Sequence, residues 1–238
     1  MNIMAGELNF KELNERIKSA SDDVCIDSCF GQRFIGSGSK GKRISINGTP
    51  GNALGAYLDG TVIEVNGNAQ DAVGDTMNAG KIVVHGNAGD ALGYAMRGGS
   101  IFIKGNSGYR TGIHMKEYQD KKPVIVIGGG AGSFLGEYLA GGLIVVLGLG
   151  FEKVPVGNFT GTGMHGGRIY IRTNAELTAL PKQVAVEVAT DNDLRDIEPY
   201  VREFSEYFNI DLKSTMKDSF FVLRPNAKNP YKKMYTEN

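Results

Sequence analysis

This 238-residue sequence has only two cysteines, seven prolines and no net charge, and each shortage excludes a class of protein. Lysine and arginine together number 26, as do aspartate and glutamate, so the composition favours neither nucleic acid nor an anionic membrane as a partner. The apolar runs are of strand length and interrupted by glycine, which argues against a transmembrane helix. The first residues lack the apolar centre of a secretory signal. We therefore expect a cytoplasmic protein.

The two cysteines, Cys25 and Cys29, are too few to form a disulfide framework. Their C-x3-C spacing has no second pair and no clustered histidine that would complete a zinc site. We expect both to be reduced thiols, with no metal ion bound to the chain.

Glycine is the residue type in clear excess. Its 34 occurrences are about twice the usual share, without the period of collagen or the proline and serine of a disordered linker. The stretch VIVIGGGAGSFLGEYLAGGLIVVLGLGFE, residues 124–152, has the outline of a dinucleotide-binding βαβ unit. From Gly128, however, the G-x-G-x-x-G frame reaches Ser133 instead of glycine, and internal glycines would break the required helix. A nucleotide site therefore does not explain the glycines.

The glycines recur at a spacing of 19 residues in the first units, which indicates an internal repeat. A glycine closes each apolar strand, and these strand-closing glycines are Gly48, Gly67, Gly86, Gly105, Gly128 and Gly148. A second glycine follows seven or eight residues later, or later still after an insertion, and these are Gly55, Gly74, Gly93, Gly112, Gly136 and Gly161. We expect both sets to be structural, at corners where only glycine fits.

The apolar residues between the glycines repeat as well. Positions four and two residues before the strand-closing glycine are β-branched in every unit, beginning with Ile44 and Ile46. So short a unit has no room for a βαβ crossover but suits one rung of a parallel β-solenoid. We predict an all-β fold, with a parallel β-helix over residues 25–175 between an N-terminal helical segment, 1–24, and a C-terminal strand and helix extension, 176–238.

Both flanking segments contain amphipathic helices. The first is predicted to begin at Asn9, with a capping box to Glu12 and apolar residues Phe10, Leu13 and Ile17 on one side. The second is predicted to begin at Thr190 or Asp191, to pass Pro199 as a kink or an early-turn proline, and to present Leu194, Ile197, Val201, Phe204 and Phe208. Residues 183–189 alternate like an eighth strand, and the aromatic, basic tail, 219–238, either folds back on the solenoid or reaches a partner.

The repeated G-x6-G with its third glycine resembles the GXGXG domain at the C-terminal end of the large chain of glutamate synthase. It is also similar to the C subunit of formylmethanofuran dehydrogenase. GQRFIGSGSKG, residues 31–41, fits as a degenerate first turn. The resemblance implies a right-handed β-helix of about seven rungs.

The same resemblance implies a scaffold role without catalytic or cofactor-binding residues in this chain. The chain lacks the N-terminal cysteine of an amidotransferase and the cysteine-rich motif of an iron–sulfur site. It therefore resembles a free-standing form of the domain that works in glutamate biosynthesis as part of a glutamate-synthase-like oxidoreductase. Its partners would be separate amidotransferase and synthase subunits, and FMN and iron–sulfur clusters are expected only on those subunits.

A stand-alone solenoid enzyme or binding module is the alternative. Asp71 and Asp90 share a register and are expected one rung apart, about 4.8 Å, where stacked acids could serve acid–base chemistry. We align Ala53 and Arg110 with them in the neighbouring rungs, so we expect no third acid. The histidines fall at different offsets within their units, and each is expected to be a lone turn or surface residue: His85, His114 and His165.

The outward-facing positions change from polar in the early rungs to apolar in the later ones. The apolar positions are Phe102, Ile125, Ile127, Val145, Leu147 and Tyr170. A contiguous apolar patch of this kind is seldom left exposed. Either the C-terminal helix covers it, or it is a subunit interface with a partner or a second copy of the chain.

Overall fold

The computed structural model describes residues 1–177 and 180–226. These residues form an eleven-stranded sheet with three helices beside it. The elements in chain order are β1 (Asn2–Met4), α1 (Phe10–Ser19), β2 (Val24–Phe30), β3 (Arg43–Thr49), β4 (Asp59–Asn66), β5 (Ala79–Val84), β6 (Ser100–Ile103), β7 (Val124–Ile127), β8 (Ala140–Val146), β9 (Gly166–Arg172), β10 (Val184–Val188), α2 (Asp191–Phe208), α3 (Leu212–Lys217) and β11 (Phe220–Pro225).

Strands β1 to β9 stack in chain order, and every neighbouring pair is parallel. A second line of parallel bridges joins the turns from Ala69 through Ala88, Ser107 and Ala131 to Val156. Each rung therefore consists of one strand and one glycine-rich turn, both in register with the next rung. The prediction of a parallel β-helix is confirmed.

The interior is a stack of aliphatic side chains from successive strands. Ile44 pairs with Ile63, which in turn pairs with Ile82, and all three are completely buried. Since a β-branched side chain packs well on a pleated surface, repeating it at one register position fills the solenoid with a continuous column.

In the rung that contains β7, the inward-facing and outward-facing positions are the reverse of those predicted. Ile125 pairs with Ile101 and Ile127 with Ile103, so both residues lie in the interior and not on the outer face. The strand-closing glycine of this rung is Gly129, whose N–H bonds to the carbonyl of Gly105, and Gly128 occupies an outer position. The sequence could not fix the phase because three consecutive glycines follow a strand of four apolar residues.

The two ends of the solenoid are closed differently. At the N-terminal end, β1 adds a parallel strand that the sequence did not predict, and α1 buries Leu13 and Ile17 against the core. Asn9 caps α1 as predicted, but the Glu12 carboxylate pairs with Arg16 instead of completing a capping box.

At the C-terminal end, β11 pairs with β9 and β10 pairs with β11, both antiparallel. The predicted strand over 183–189 is therefore present, but it is separated from β9 by a strand from the tail. Residues 219–226 of the tail fold back on the solenoid, and the prediction for its remainder, 227–238, lies outside the described residues.

Candidate functional site

In five rungs the second glycine lies against the side chain of an isoleucine two strands further along the stack. A Cβ on Gly55 would lie 2.6 Å from Ile82 Cδ1, and one on Gly93 would lie 2.5 Å from Ile125 Cδ1. The same close approach recurs at Gly74, Gly112 and Gly136, and all of these residues have φ between 63° and 69°. The left-handed backbone favours glycine at these corners, and the lack of space for a Cβ excludes larger residues, so these glycines shape the corner.

The strand-closing glycines make room for a ladder of asparagine side chains. The Oδ1 of Asn68 accepts the N–H of Asn87, that of Asn87 accepts the N–H of Asn106, and that of Asn106 accepts the N–H of Gly130, each at 2.8 Å. A Cβ on the glycines beside these oxygens would overlap them, at Gly86, Gly105 and Gly129. Cross-rung hydrogen bonds of this kind satisfy backbone donors at the corners where strand pairing ends.

The stacked acids form a second ladder of the same type. Asp71 Oδ1 accepts the N–H of Asp90 at 2.9 Å, and Asp90 Oδ1 accepts the N–H of Tyr109 at 2.8 Å. The residue before Asp71 in this ladder is Asn52, so the aligned neighbours are Asn52 and Tyr109 and not Ala53 and Arg110. One oxygen of each carboxylate is therefore committed to the backbone, as the amide oxygen of an asparagine would be.

The apolar outer face is covered by α2 of the same chain. Phe102, Val145, Leu147 and Tyr170 are buried in a cluster with Val83, Val124, Val126 and Leu143 from the sheet and with Ile197, Val201, Phe204 and Phe208 from α2. Gly128 also lies on this face, where a Cβ would meet the Phe204 ring. Of the two interpretations of the patch, coverage by the C-terminal helix is the one the structure shows. Because α2 buries these residues, they are not available as a subunit interface.

Charged side chains fix α2 around the edge of this cluster. Glu203 pairs with Lys81 of β5, and Asp196 pairs with Arg168 of β9. Thr190 caps the helix and Asp193 completes the capping box, while Arg224 of β11 pairs with Asp193. Burial acts to raise the pKa of Asp193, but hydrogen bonds from Thr190 and the Arg224 guanidinium outweigh it, so this pKa is lowered.

Two groups of partly exposed aromatic side chains lie along the turns of the middle and later rungs, a feature that the sequence reasoning missed. His114 stacks on Tyr138 at 5.2 Å and meets the edge of Tyr94 at 5.9 Å. Phe134 stacks on Phe159 at 5.0 Å, and the Arg110 guanidinium lies over Phe134. We call these six residues the aromatic ladder.

The two stacked pairs of the ladder could have been predicted from the repeat. Phe134 and Phe159 lie two residues before a second glycine, and His114 and Tyr138 lie two residues after one. Stacking rungs places such equivalent positions about 5 Å apart. Alignment by position within the unit, and not by residue type, reveals the aromatic column to which His114 belongs.

The remaining candidate groups are dispersed. His85 Nε2 lies 2.9 Å from Glu64 Oε1 beneath the edge of Phe208, and His165 contacts the Gly163 carbonyl. Burial raises the pKa of the Cys29 thiol to about 11, and Gln32 opposes this only in part. Over residues 1–177 and 180–226, no three histidine, cysteine or acidic side chains come together in a way that could hold a metal ion. No helix in the same ranges is long and apolar enough to cross a membrane.

Comparison with known families gives a match to the GXGXG motif family over residues 16–228. The chain belongs to the GXGXG family. The resemblance inferred from the repeated glycines is thereby confirmed, and the glycines of the two corner sets are the structural basis of the GXGXG repeat in this chain.

This GXGXG chain is similar to a protein of known sequence and to a chain of known structure. It is 44% identical to the uncharacterized protein MJ1350 of Methanocaldococcus jannaschii over 250 aligned positions, which cover 98% of this chain and 95% of that protein. Among solved structures it is similar to a chain of the formyltransferase/hydrolase complex FhcABCD from Methylorubrum extorquens, determined with methylofuran. That match has a TM-score of 0.61 and 21% identity, and it covers 84% of this chain and 71% of the other. At this identity the likeness concerns the fold.

Proposed function

We propose that this GXGXG chain is a non-catalytic scaffold subunit that holds together separately encoded enzyme subunits of a glutamate-synthase-like oxidoreductase. The observation that carries the proposal is that the polar side chains of the repeat accept hydrogen bonds from the backbone. The asparagine and acid ladders bind the backbone of neighbouring rungs, so the side chains best placed for chemistry act in folding. Membership of the GXGXG family supports a scaffold role.

The aromatic ladder is the surface that suits a partner subunit. Tyr94 and Phe159 are 41% and 54% exposed, and Arg110, which lies over the Phe134 ring, is exposed as well. Exposed aromatic residues and arginine are the side chains that contribute most to protein interfaces. Because α2 covers the apolar outer face, a partner has to use a surface of another kind, and this ladder provides one.

A formyl-transferring complex is the second candidate, favoured by one observation. The similar solved chain is part of a formyltransferase/hydrolase complex. The proposed role of this chain is the same in both cases, a rigid solenoid between catalytic subunits, and only the chemistry of the partners differs.

Purification of the tagged chain from its native cells tests the proposal. We expect stoichiometric co-purification with a flavin- and iron–sulfur-containing synthase subunit, and a colourless, inactive protein when the chain is made alone. Partners of the formyl-transfer type would support the second candidate instead. The scaffold proposal would be overturned if the chain purifies alone and turns over a substrate. In that case both Asp90→Ala and Asp90→Asn should abolish the activity.

The aromatic ladder can be tested in the same preparation. Arg110→Glu combined with Phe159→Ala should reduce the recovered partner at least about tenfold, since interface anchors of this kind each contribute roughly 2 kcal/mol. Lys104→Glu is the matched control, because it reverses an exposed charge on the outer row of the same rung as Arg110. Equal loss in both variants would show that the ladder is not the contact surface.

A further inference from the structure

A cavity of about 830 Å³ lies at the N-terminal end of the solenoid, between α1 and the glycine-rich first turn. This volume is within the range of small-molecule sites. Phe10, Ile17 and Phe34 contribute apolar surface to its wall, with the rings of Phe10 and Phe34 5.9 Å apart. The cavity is separate from both the aromatic ladder and the face under α2.

The helix is held over the cavity by a bond on each side. The Asn14 amide donates to the Arg33 carbonyl at 3.0 Å, from the middle of the helix to the first turn. Lys42 Nζ donates to the carbonyls of Ile17 and Ala20, at 3.1 and 2.6 Å, at the end of the helix. These contacts hold α1 and the first turn together while the space between them stays open.

The space remains open because residues 36–39 of the first turn are only glycine and serine. A Cβ on Gly38 would meet no atom within 4 Å. The equivalent position of the next rung holds Tyr57, with φ of 57°, so a tyrosine fits the backbone of this position. The first rung thus differs from the second in having an empty place where the second has a ring.

The charged residues around the cavity are mostly positive. Its lining contains Lys11, Lys18, Lys40 and Lys42 against a single acid, Glu15. Lys40 pairs with Asp59 at 2.7 Å, and Lys42 is engaged by the helix carbonyls. Among the residues that the structure describes, the ion pairs include neither Lys11 nor Lys18. Both therefore have charge available for a ligand.

We propose that this cavity binds a small organic anion with an aromatic or other flat apolar body. The body packs against the rings of Phe10 and Phe34, and the anionic group lies near Lys11 and Lys18. A carboxylate, a phosphate and a sulfonate share this chemistry, because each presents acceptor oxygens to an ammonium group.

The probes are anilinonaphthalene sulfonate and its uncharged analogue N-phenylnaphthylamine, titrated into the full chain and followed by fluorescence. We expect the sulfonate to bind at least about tenfold more tightly than the neutral dye, with a difference that shrinks as salt is added. Equal affinities for the two dyes, or no binding of the sulfonate, would overturn the proposal. Titration with naphthoate and naphthyl phosphate, each displacing the sulfonate dye, then ranks the carboxylate and phosphate forms of the ligand.

Two variants locate the binding. Gly38→Tyr should reduce the affinity for both dyes at least about tenfold by filling the cavity, and Lys18→Glu should weaken only the sulfonate, by roughly threefold to tenfold. Ala95→Tyr is the matched control, since it places the same ring at the equivalent position three rungs away, where φ is 49°. If Gly38→Tyr fails to fold, Lys18→Glu still decides, because its position is exposed. Binding that is unchanged in Lys18→Glu and unchanged in a folded Gly38→Tyr places the dye elsewhere and refutes the site.

Discussion

At the scale of single residues, glycine has two separate roles in this chain. Gly55 is needed for its left-handed backbone and also because the Ile82 side chain occupies the space of a Cβ. Gly38 has the same backbone, with φ of 64°, but open space around it. The chain therefore contains a natural comparison between backbone strain and steric overlap.

Gly55→Ala should lower the free energy of unfolding by about 1–3 kcal/mol more than Gly38→Ala, as measured by urea denaturation. The backbone strain, about 1–2 kcal/mol, is common to both variants, and only Gly55→Ala forces overlap in the packed core. Adding Ile82→Val to Gly55→Ala removes the overlapping methyl group, so the double variant should be less destabilised than the sum of the two single changes. Equal costs for the two alanines would mean that strain alone selects glycine.

Asp90 provides the residue-scale test of the acid ladder. Asp90→Asn keeps an oxygen for the N–H of Tyr109, as Asn52 provides one earlier in the same ladder. We expect it to change stability by less than about 0.5 kcal/mol, while Asp90→Ala loses about 1 kcal/mol because a backbone donor loses its acceptor. The measurement is thermal or urea unfolding. A strong loss in Asp90→Asn would show that the negative charge itself is required.

At the scale of elements, the sequence predicts the repeat well and the phase of one rung poorly. In strands that alternate between polar and apolar residues, only one set of positions can face the core. The inward-facing residues of these strands, such as Ile44 and Ile46, lie in the core as predicted. In β7 all four residues are apolar and buried, so alternation carries no information. Only pairing with β6 shows that Val124 and Val126 face α2 while Ile125 and Ile127 face the core.

The same limit applies to the elements outside the repeat. The apolar spacing of α2 and its cap at Thr190 were predictable from local sequence, because capping and helical periodicity involve residues close in the chain. The insertion of β11 between β9 and β10 depends on contacts between distant segments, so no local pattern indicates it. The N-terminal cavity is likewise formed between α1 and the first turn, and no local pattern indicates that these two elements lie side by side.

The cap of α2 should make stability depend on pH. The folded pKa of Asp193 lies below its ordinary value, so its contribution is present above the unfolded pKa and is lost as pH falls through the folded one. Asp193→Asn should therefore cost about 1–2 kcal/mol at neutral pH, and this deficit should narrow below about pH 4. Urea unfolding over a pH series measures it.

Asp196→Asn is the control for this prediction, since Asp196 lies on the same helix in an exposed ion pair with Arg168. Its cost should stay below about 1 kcal/mol. A deficit of Asp193→Asn that persists unchanged into acid would show that the carboxylate charge is not what stabilises the cap.

At the scale of the whole molecule, the solenoid has an apolar side that the repeat itself does not cover. The early rungs are polar on their outer face, whereas β6 to β9 present large apolar groups there, including Phe102 and Tyr170. Repeat proteins need atypical segments to close their ends. Here a single C-terminal extension performs two tasks, because β11 and β10 extend the sheet while α2 covers its side.

A chain shortened to end at Arg172 tests this arrangement. It retains the strands β1 to β9 but loses α2 and β11, which leaves the outer apolar residues and the edge of β9 exposed. We expect aggregates or large oligomers in size-exclusion chromatography with light scattering, because both exposed apolar patches and open strand edges promote association. Phe204→Ala in the full chain is the milder companion and should lower the free energy of unfolding by about 3–5 kcal/mol while leaving the mass unchanged. A shortened chain that remains monomeric with the circular dichroism of a β-solenoid would show that the outer face needs no cover, and the role assigned to α2 would then be wrong.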